Sequence, residues 1–283
     1  MTEPSPLLRN VSDTALWVAM YRAQESERPD ALFRDPFARR LAGERGEQII
    51  NTMAGQKRNA WAFVTRTFLF DSFITEQVRQ GVDMVINLAA GLDARPYRMS
   101  LPPSLQWIEV DLPDLVAYKE EILGGETPVC RLERVRLDLS DASSRRALFE
   151  ELGRRTSKAM ILSEGLLVYL TAEEVGSLAQ DLAAPPSFRS WATDLASPGL
   201  VQMLQKQVGD HLNRASAPLK FGPEEGPGFF TRYGWNPVEV RSMIKSAARL
   251  KRVPFILRLI AMLPESKGRQ GSRPWSAVCL LER

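Results

Sequence analysis

Residues 84–96 read Met-Val-Ile-Asn-Leu-Ala-Ala-Gly-Leu-Asp-Ala-Arg-Pro, and this stretch carries the main indication of the fold. Its first five residues form a short apolar run of the kind that a buried strand shows. Gly91 then permits a tight turn and a close backbone approach to a ligand. Pro96 suits the first turn of a helix. The stretch therefore predicts a strand, a glycine turn and a helix start, although a single glycine after a strand is often only a turn.

Short apolar runs alternate with helical stretches on the C-terminal side of this loop. Such alternation is typical of an α/β fold, in which crossover helices connect the strands of a parallel sheet. Glu173–Leu182 is predicted to be one of these helices, and Val238–Leu250 is predicted to be helical as well. The predicted strands are Met84–Leu88, Gln106–Val110, Arg134–Leu137, Ala159–Ser163, Phe188–Thr193 and Ser276–Leu281, the last paired with a strand near Lys251–Leu257.

The region before the first strand has a helical pattern. It opens with a predicted N-cap at 12–14, and a longer helix is predicted from Asn59 to Gln80, closed by Gly81. Arg66 lies on an apolar stripe of that helix, where a buried guanidinium needs an anionic partner. The partner is either a protein carboxylate or an anionic group of a ligand, and the sequence leaves both open.

Acidic residues follow three successive predicted strands, namely Asp111, Asp138 and Glu164. In an open parallel sheet, ligands bind outside the carboxyl ends of the strands. Asp111 stands 20 residues after Gly91, a spacing at which an acid can bind the ribose hydroxyls of a nucleoside. Glu109 is its rival on the same strand, but Asp111 lies at the strand tip. Any one of the three acids could be a helix N-cap, whereas together they indicate a site for a ligand with a nucleoside and a cationic group.

The composition favours one main domain in a reducing compartment. The chain has 283 residues, of which 44% are hydrophobic, and its formal net charge is only +3. Because acids lie among the arginine clusters between 131 and 158, these clusters are interpreted as solvated surface, and no nucleic-acid partner is expected. Cys130 and Cys279 are far apart and give neither a disulfide framework nor a metal site. The first ten residues lack the order of a signal peptide, and no apolar run reaches ~18 residues, so a cytoplasmic protein without a membrane partner is expected.

Several of these stretches, taken in order, resemble the leucine carboxyl methyltransferase family. The likeness is to its bacterial branch of small-molecule O-methyltransferases, which includes polyketide-tailoring enzymes, and it covers nearly the whole chain. The matching stretches are Ser12–Ala15 with Arg22-Ala23 and Asp35-Pro36; Arg66-Thr67 and Phe70-Asp71; Asn87–Arg98; Glu109–Pro113 with Tyr118-Lys119; Asp138-Leu139 with Asp141; Ser163–Leu170; Trp235–Pro237; and the last strand.

The resemblance implies a Rossmann-like class I methyltransferase fold, with a mostly parallel seven-stranded sheet flanked by helices. It implies an N-terminal helical cap at 1–81, a cofactor-binding core at 82–196, a lid insertion at 197–236 and a completion of the sheet at 237–283. The implied cofactor is S-adenosylmethionine, and no metal is implied. Family members usually have glycine where this chain has Ala89, which narrows the room near the cofactor.

Each candidate cofactor residue receives a role from the resemblance. Arg66 would hold the methionine carboxylate, with Arg22 assisting; Ala89 and Gly91 would lie against the methionine part; Asp111 would bind the ribose, Asp138 and Leu139 the adenine, and Glu164 the methionine amino group.

The acceptor is less defined. A carboxylate is already ionised near neutral pH and needs no general base, whereas a phenol or alcohol would need one. Tyr169, His211 and Tyr233 are the candidate acceptor contacts, each of which could equally serve packing. The expected lid contains four aromatic residues, Phe221, Phe229, Phe230 and Trp235. They indicate that the acceptor is an apolar or aromatic small molecule, but packing within the lid explains them almost as well.

Two other functions share part of this pattern. A nicotinamide-dependent reductase would also have a glycine turn and an acid after the second strand. However, no tyrosine here is followed four positions later by lysine, and the full Gly-x-Gly-x-x-Gly loop is missing. A catalytically silent nucleotide-binding protein would have no need of Arg66 and Glu164.

Overall fold

A computed structural model describes residues 12–52, 60–265 and 269–283. Its centre is a seven-stranded sheet with the order β3-β2-β1-β4-β5-β7-β6. Neighbouring strands from β3 to β5 are parallel, and β7 is antiparallel to both β5 and β6. The strands are β1 (Met84–Leu88), β2 (Gln106–Asp111), β3 (Arg131–Arg136), β4 (Ala159–Ser163), β5 (Phe188–Ala196), β6 (Asn236–Ser242) and β7 (Ser276–Glu282).

Helices cover both faces of the sheet, so its central strands are apolar on both sides. All five residues of β1 are buried. Met84 and Ile86 pack on the side of α6 and α7, whereas Val85 packs on the side of α3 and α9. The helices are α1 (Ser12–Ser26), α2 (Ala38–Thr52), α3 (Ala60–Arg79), α4 (Arg95–Arg98), α5 (Pro113–Leu123), α6 (Ala142–Arg155), α7 (Ala172–Ala183), α8 (Pro198–Arg214), α9 (Met243–Arg249) and α10 (Phe255–Ala261).

A third apolar cluster joins the N-terminal helices to the sheet. In it, α1 and α2 pack with residues of α5, α8 and the loop after β1, including Leu92 and Ala94. Helix α3 belongs to two layers, because its second half packs on the sheet and its first half lies near the strand ends. The predicted helix from Asn59 to Gln80 is thus confirmed over Ala60–Arg79, and Asn59 lies outside the described residues.

The predicted class of fold, with its mostly parallel seven-stranded sheet, is confirmed, but the edges of the sheet differ from the sequence prediction. The third strand runs over Arg131–Arg136 and not Arg134–Leu137. It is the outermost strand, and four of its six residues are charged. The apolar alternation on which the prediction depended is therefore weak. Gln106, Phe188 and Ser276 begin their strands as predicted, with one to three further residues at the ends.

The strand that pairs with β7 is β6 at Asn236–Ser242, and the prediction of a strand near Lys251–Leu257 is wrong. Residues of that stretch from Phe255 onward begin α10. The predicted helix at Val238–Leu250 is half correct, because Val238–Ser242 is strand and the helix starts at Met243.

Most of the aromatic residues expected in a lid belong to the core. Phe230 and Trp235 pack edge-on against Trp191 of the sheet, and the Trp235 indole donates to the Ala179 carbonyl at 3.0 Å. Phe229 packs with Phe230 in the same cluster. Of the four, only Phe221 lines the cavity described below, so this part of the expectation about the acceptor loses its support.

Within the described ranges, no helix is long and apolar enough to cross a membrane.

Candidate active site

A cavity of about 670 Å³ opens at the carboxyl ends of the parallel strands. Its volume lies within the ~300–1,000 Å³ of small-molecule sites. The structure brings every predicted cofactor residue to this cavity, together with one of the three acceptor candidates. The lining residues among those predicted are Arg22, Arg66, Ala89, Gly91, Asp111, Asp138, Leu139, Glu164 and Tyr169.

Two acceptor candidates lie elsewhere. His211 is in the last turn of α8, and Tyr233 ends a 3-10 helix, Gly226–Tyr233. Tyr233 packs against Phe229 and lies so close to Gly176 that a Cβ there would be 2.4 Å from the tyrosine hydroxyl oxygen. Neither His211 nor Tyr233 lines the cavity.

The loop after β1 has a backbone that few side chains accept. Gly91 has a φ of 53°, in the left-handed region that glycine tolerates. Its N–H donates to Asp111 Oδ2 at 2.6 Å, so the turn and the acid after the second strand are in direct contact. Ala89 also has a positive φ, of 49°, although it is not a glycine. The backbone at Ala89 is therefore strained.

Asp111 and Glu109 lie on the same strand, but only one of them faces the cavity. Glu109 is buried and pairs with Lys119 at 2.8 Å and with Arg134 at 2.9 Å. Asp111 is also buried, yet no described cation pairs with it, and it accepts only the N–H groups of Gly91 and Leu112. Burial raises the pKa of Asp111, and these two hydrogen bonds lower it only in part. Asp111 thus has acceptor capacity left for donors inside the cavity.

Asp138 follows β3 and also lines the cavity, one residue after Leu137, whose N–H donates to the Asp111 carbonyl at 2.9 Å. Its carboxylate accepts from the Ser140 N–H at 2.8 Å, while the N-cap of α6 is Asp141, which accepts from Ser143 and Ser144. Capping therefore does not account for Asp138. Leu139 lies beside it and contacts the apolar cluster on the α6 and α7 side of the sheet.

Arg66 reaches the strand ends from α3 and binds two carboxylates. Its Nε donates to Glu164 at 3.1 Å, and its Nη1 donates to Asp194 at 3.1 Å. Asp194 also accepts from the Gly165 N–H at 2.6 Å. Burial acts to lower the pKa of Arg66, but Asp194 and Glu164 outweigh it and raise the pKa. The sequence left open whether Arg66 pairs with a protein carboxylate or with an anionic group of a ligand, and protein carboxylates are present. Nη2 of Arg66, however, makes no hydrogen bond with another described residue.

Gly165 is where the backbone must come close to this guanidinium. It has a φ of 70°, and a Cβ at this position would lie 3.1 Å from Arg66 Nη1. Glycine therefore serves two purposes here, because it permits the left-handed turn and leaves room for Arg66.

Arg95 links the base of this site into one charged network. Its guanidinium donates to Asp71 at 2.6 Å, to Asp93 at 2.7 Å and to Glu164 at 2.8 Å, and its side chain is 3% exposed. Burial acts to raise the pKa of Asp93, but Arg95 and the neighbouring cations hold it well below its usual range. Glu164 accepts hydrogen bonds from both Arg95 and Arg66, so the network holds in place the carboxylate that Arg66 binds.

Sequence reasoning missed Asp194, Arg95 and Asp71 as parts of this site. Asp194 lies near the end of the fifth strand, two residues before Ala196, but the strand was predicted to stop at Thr193. Longer apolar alternation through Leu195 was the signal that could have found it. Arg95 and Asp71 stand within stretches that carry the family resemblance, yet neither had an assigned role.

Part of the cavity wall is apolar. This part comes from α1, α3 and α8, with Trp17, Phe63, Leu204 and Val208 among its residues. Tyr169 also lines the cavity, near Arg66 and Asp194. Burial raises the pKa of Tyr169, and the hydrogen bond with Thr14 and the charge of Arg66 lower it only in part, so its hydroxyl stays protonated at neutral pH.

One arginine expected on the surface is part of the cavity wall instead. Arg145 is buried, binds Asp181 and donates to the Leu139 carbonyl at 2.7 Å. Arg154 and Arg155 pair with acids of their own surroundings at the surface, as the interpretation of solvated clusters predicts. Among the described residues, no group of His, Cys, Asp and Glu is arranged to hold a metal ion.

Residues 15–183 match the leucine carboxyl methyltransferase family, which is more than half of the chain. The chain belongs to this family.

Full-length relatives agree with the match. A candidate S-adenosyl-L-methionine-dependent methyltransferase from Parafrankia sp. (strain EAN1pec) is 34% identical over 260 residues, which cover 86% of this chain and 83% of the relative. Another, from Frankia alni (strain DSM 45986), is 30% identical over 78% of this chain and 81% of its own length.

Solved structures show the same fold at low sequence identity. A candidate methyltransferase from Thermobifida fusca YX superposes with a TM-score of 0.59 at 15% identity, over 100% of this chain and 99% of that chain. A duf574 family protein from Streptomyces avermitilis superposes with a TM-score of 0.57 at 14% identity, over 92% and 95%. Together with the strand order, this likeness confirms the class I methyltransferase fold.

Replacing the strained Ala89 with glycine, the residue that the resemblance leads us to expect, should stabilise the protein. A left-handed φ costs an L-residue ~1–2 kcal/mol, and glycine avoids this cost. The greater conformational entropy of glycine in the unfolded chain offsets ~0.5–1 kcal/mol of the benefit. We expect Ala89→Gly to raise the free energy of unfolding by about 0.5–1 kcal/mol and Tm by about 1–3 °C. Thermal unfolding measures both.

The exposed helical residue Ala147 of α6 gives the matched control. There the same Ala→Gly change should destabilise by about 1 kcal/mol. Equal losses of stability at both positions would show that the backbone at Ala89 is not strained.

Proposed function

We propose that the protein is an S-adenosylmethionine-dependent O-methyltransferase that acts on an apolar small molecule, with a carboxylate as the favoured acceptor. The observation that carries the proposal is Asp111, a buried carboxylate that forms no ion pair with a described residue, at the wall of a cavity that all the other predicted cofactor residues also line. Hydroxyl groups are the donors that such a carboxylate binds best without neutralising it.

The charged part of the cavity fits the cofactor group by group. Asp111 would accept from the ribose hydroxyls, and Asp138 would accept from the adenine amine beside Leu139. Nη2 of Arg66 would bind the methionine carboxylate, while Glu164 and Asp194 supply negative charge for the amino group. Gly91 leaves room for the methionine part, because the nearest side-chain atom to a Cβ there is 3.5 Å away, on Ala15.

Arg22 has a less direct part in this proposal. It lines the cavity, but its Nε donates to Asp35 at 2.9 Å and its Nη2 donates to the Leu92 carbonyl. These bonds hold the loop after β1 in place. Arg22 would therefore support the methionine end mainly by fixing Leu92.

S-adenosylmethionine supplies, when bound, a methyl group on a positively charged sulfur. The protein's own task is to hold the acceptor oxygen ~3 Å from that methyl group and in line with the breaking bond, which provides much of the rate acceleration. Trp17, Phe63 and Leu204 would bind the apolar body of the acceptor and exclude water. The protonated Tyr169 hydroxyl would donate to the acceptor's second oxygen and orient it.

A carboxylate acceptor fits the titratable groups of this site. His211 is the single histidine of the chain, and it lies outside the cavity wall. Since Tyr169 holds its proton, it is a poor general base. An acceptor that is ionised near neutral pH avoids the need for a base.

Calorimetry and a transfer assay test the proposal in sequence. We expect S-adenosylmethionine and S-adenosylhomocysteine to bind and NADH not to bind. Methyl transfer should then be faster to medium-chain alkyl and aryl carboxylates than to the matching phenols or alcohols. Binding of NADH alone would favour the reductase, binding without transfer to any acceptor would favour a silent nucleotide-binding protein, and transfer only to phenols would exclude the carboxylate.

A further inference from the structure

Helix α10 carries an apolar face that the described part of the chain leaves uncovered. Phe255 is 73% exposed, and Met262, directly after the helix, is 81% exposed. The other members of the face are between 50% and 68% exposed, namely Ile256, Leu259, Ile260 and Leu263. Monomeric proteins rarely expose apolar residues in such a contiguous group, so the face is expected to have a partner.

These six residues lie on one side of the helix. At about 100° per residue they fall within an arc of roughly 160°. Leu257 and Ala261 are half-buried on the opposite side, where α10 meets α9. The face is therefore a broad outward band on a convex element, and a flat apolar layer fits it better than a narrow groove would.

The segment that carries α10 is strongly basic. Residues 243–275 contain eight Lys or Arg residues and one Glu, in a chain whose formal net charge is +3, so the rest of the chain is net acidic. Arg249, Lys251 and Arg258 are exposed, and none of the described acids pairs with them. The apolar face is thus bordered by free positive charge.

Lys251 keeps one of these charges at a strained position. Its φ is 57°, in the left-handed region, where the chain closes the end of α9 with a hydrogen bond from Lys251 N to the Ala248 carbonyl. Glycine or asparagine is the usual residue at such a helix end. A lysine at this position has a conformational cost, which is consistent with a use for its charge.

A second copy of the chain fits this surface poorly. In a two-fold contact the same patch meets itself, so Arg249, Lys251 and Arg258 of one copy would approach the same cations of the other. An anionic layer satisfies both the charges and the apolar side chains.

The basic segment also begins and ends at the rim of the cavity. Ser242 ends β6, and Ser276 begins β7 opposite Ala196, at the edge of the sheet where the parallel strands end. Ser276 and Ala277 line the cavity themselves. The segment that carries α10 is therefore joined at both of its ends to the edge of the sheet that carries the site.

We propose that α10 docks the protein on anionic phospholipid membranes, with its apolar face in the interface and its cations on the headgroups. This proposal departs from the expectation of no membrane partner, which rested on the absence of a spanning segment, because a helix that lies on the membrane surface needs none. The proposal is independent of the methyl-transfer reaction, since it depends only on residues of the α10 segment.

Sedimentation with vesicles tests it on the full chain. We expect binding to vesicles of phosphatidylcholine mixed with phosphatidylglycerol, little binding to phosphatidylcholine alone, and weaker binding as salt is added. The double variant Phe255→Gln/Leu259→Gln should lose binding at least tenfold, because it removes the two side chains from the interface. Arg249→Glu/Lys251→Glu should lose roughly tenfold or more on anionic vesicles.

A matched variant on another exposed apolar pair is the control. Val238→Gln/Val240→Gln changes two exposed valines of β6, and it should bind vesicles as the unaltered protein does. All three variants should keep the unaltered Tm and the unaltered affinity for S-adenosylmethionine. The proposal is overturned by an absence of vesicle binding at low salt, by equal binding to both vesicle types, or by a dimer in solution that Phe255→Gln/Leu259→Gln dissociates without any effect on vesicles.

Discussion

Arg95→Met is expected to destabilise the protein more than any other single change in the charged network. Arg95 is buried and binds Asp71, Asp93 and Glu164. Asp71 retains Arg98 in the variant, and Glu164 retains Arg66, but Asp93 loses its nearest cation. Removing one partner of a buried ion pair costs about 3–5 kcal/mol, which corresponds to a fall in Tm of about 10 °C for a domain of this size. Chemical and thermal unfolding measure the loss.

The pH dependence of this loss identifies its cause. In the unaltered protein the pKa of Asp93 is held well below its usual range, so its stabilising effect is present above the unfolded pKa and is lost as the pH falls towards the folded pKa. The difference in stability between the two proteins should therefore shrink on acidification. Adding Asp93→Asn to Arg95→Met should restore part of the stability.

Arg154→Met is the control for the loss of one positive charge at an exposed position. Arg154 pairs with Glu150 at 2.8 Å, but both side chains are more than half exposed, so stability should hardly change. A loss as small for Arg95→Met, or one that does not vary with pH, would contradict the role of Arg95 as the centre of the network.

Asp111→Ala is expected to have the largest effect on cofactor binding. If Asp111 accepts from both ribose hydroxyls, two hydrogen bonds to a charged group are lost, each worth ~1.5–3 kcal/mol, and the affinity for S-adenosylmethionine should fall about 100-fold or more. Asp111→Asn retains one acceptor oxygen without the charge, so its loss should be smaller. Calorimetry measures both affinities.

The same carboxyl predicts how affinity changes with pH. Because burial raises the pKa of Asp111, its protonation on acidification should weaken cofactor binding at a higher pH than an ordinary aspartate would. This part of the pH dependence should be missing in Asp111→Asn.

Glu109→Gln on the same strand separates binding from stability. Lys119 and Arg134 lose their carboxylate in that variant, so stability should fall while the cofactor affinity is kept. Asp111 has no described cation to leave unpaired, so Asp111→Asn should unfold at nearly the unaltered Tm. An unchanged affinity in a folded Asp111→Ala protein would remove Asp111 from the donor site.

The strands in the middle of the sheet could be predicted from the sequence, and those at its edges could not. Met84–Leu88 and Ala159–Ser163 are confirmed at both ends, because strands buried on both faces are continuous apolar runs. Arg131–Arg136 and Asn236–Ser242 are edge strands with mostly charged or exposed residues, and their local pattern resembles loop or helix. What makes them strands is the neighbour with which they pair.

The residues at the strand ends were predictable for the same reason as the strands. Once β2, β3 and β4 are placed, the acids at their carboxyl ends must meet at one edge of the sheet. The sequence left open which partner each side chain meets. Asp111 lines the cavity at the tip of β2, whereas Glu109, two residues earlier on the same face of the strand, pairs with Lys119 of α5.

Sequence by itself determined the turn at Gly91, the parallel core of the sheet and the row of acids at its carboxyl edge, since each follows from backbone geometry and apolar periodicity within a few residues. Tertiary structure decided which charges meet. Arg66 lies 98 residues from Glu164 and 128 from Asp194, and no local pattern specifies such pairs. They form because α3 packs across the ends of β4 and β5, where a buried guanidinium is stable only beside carboxylates.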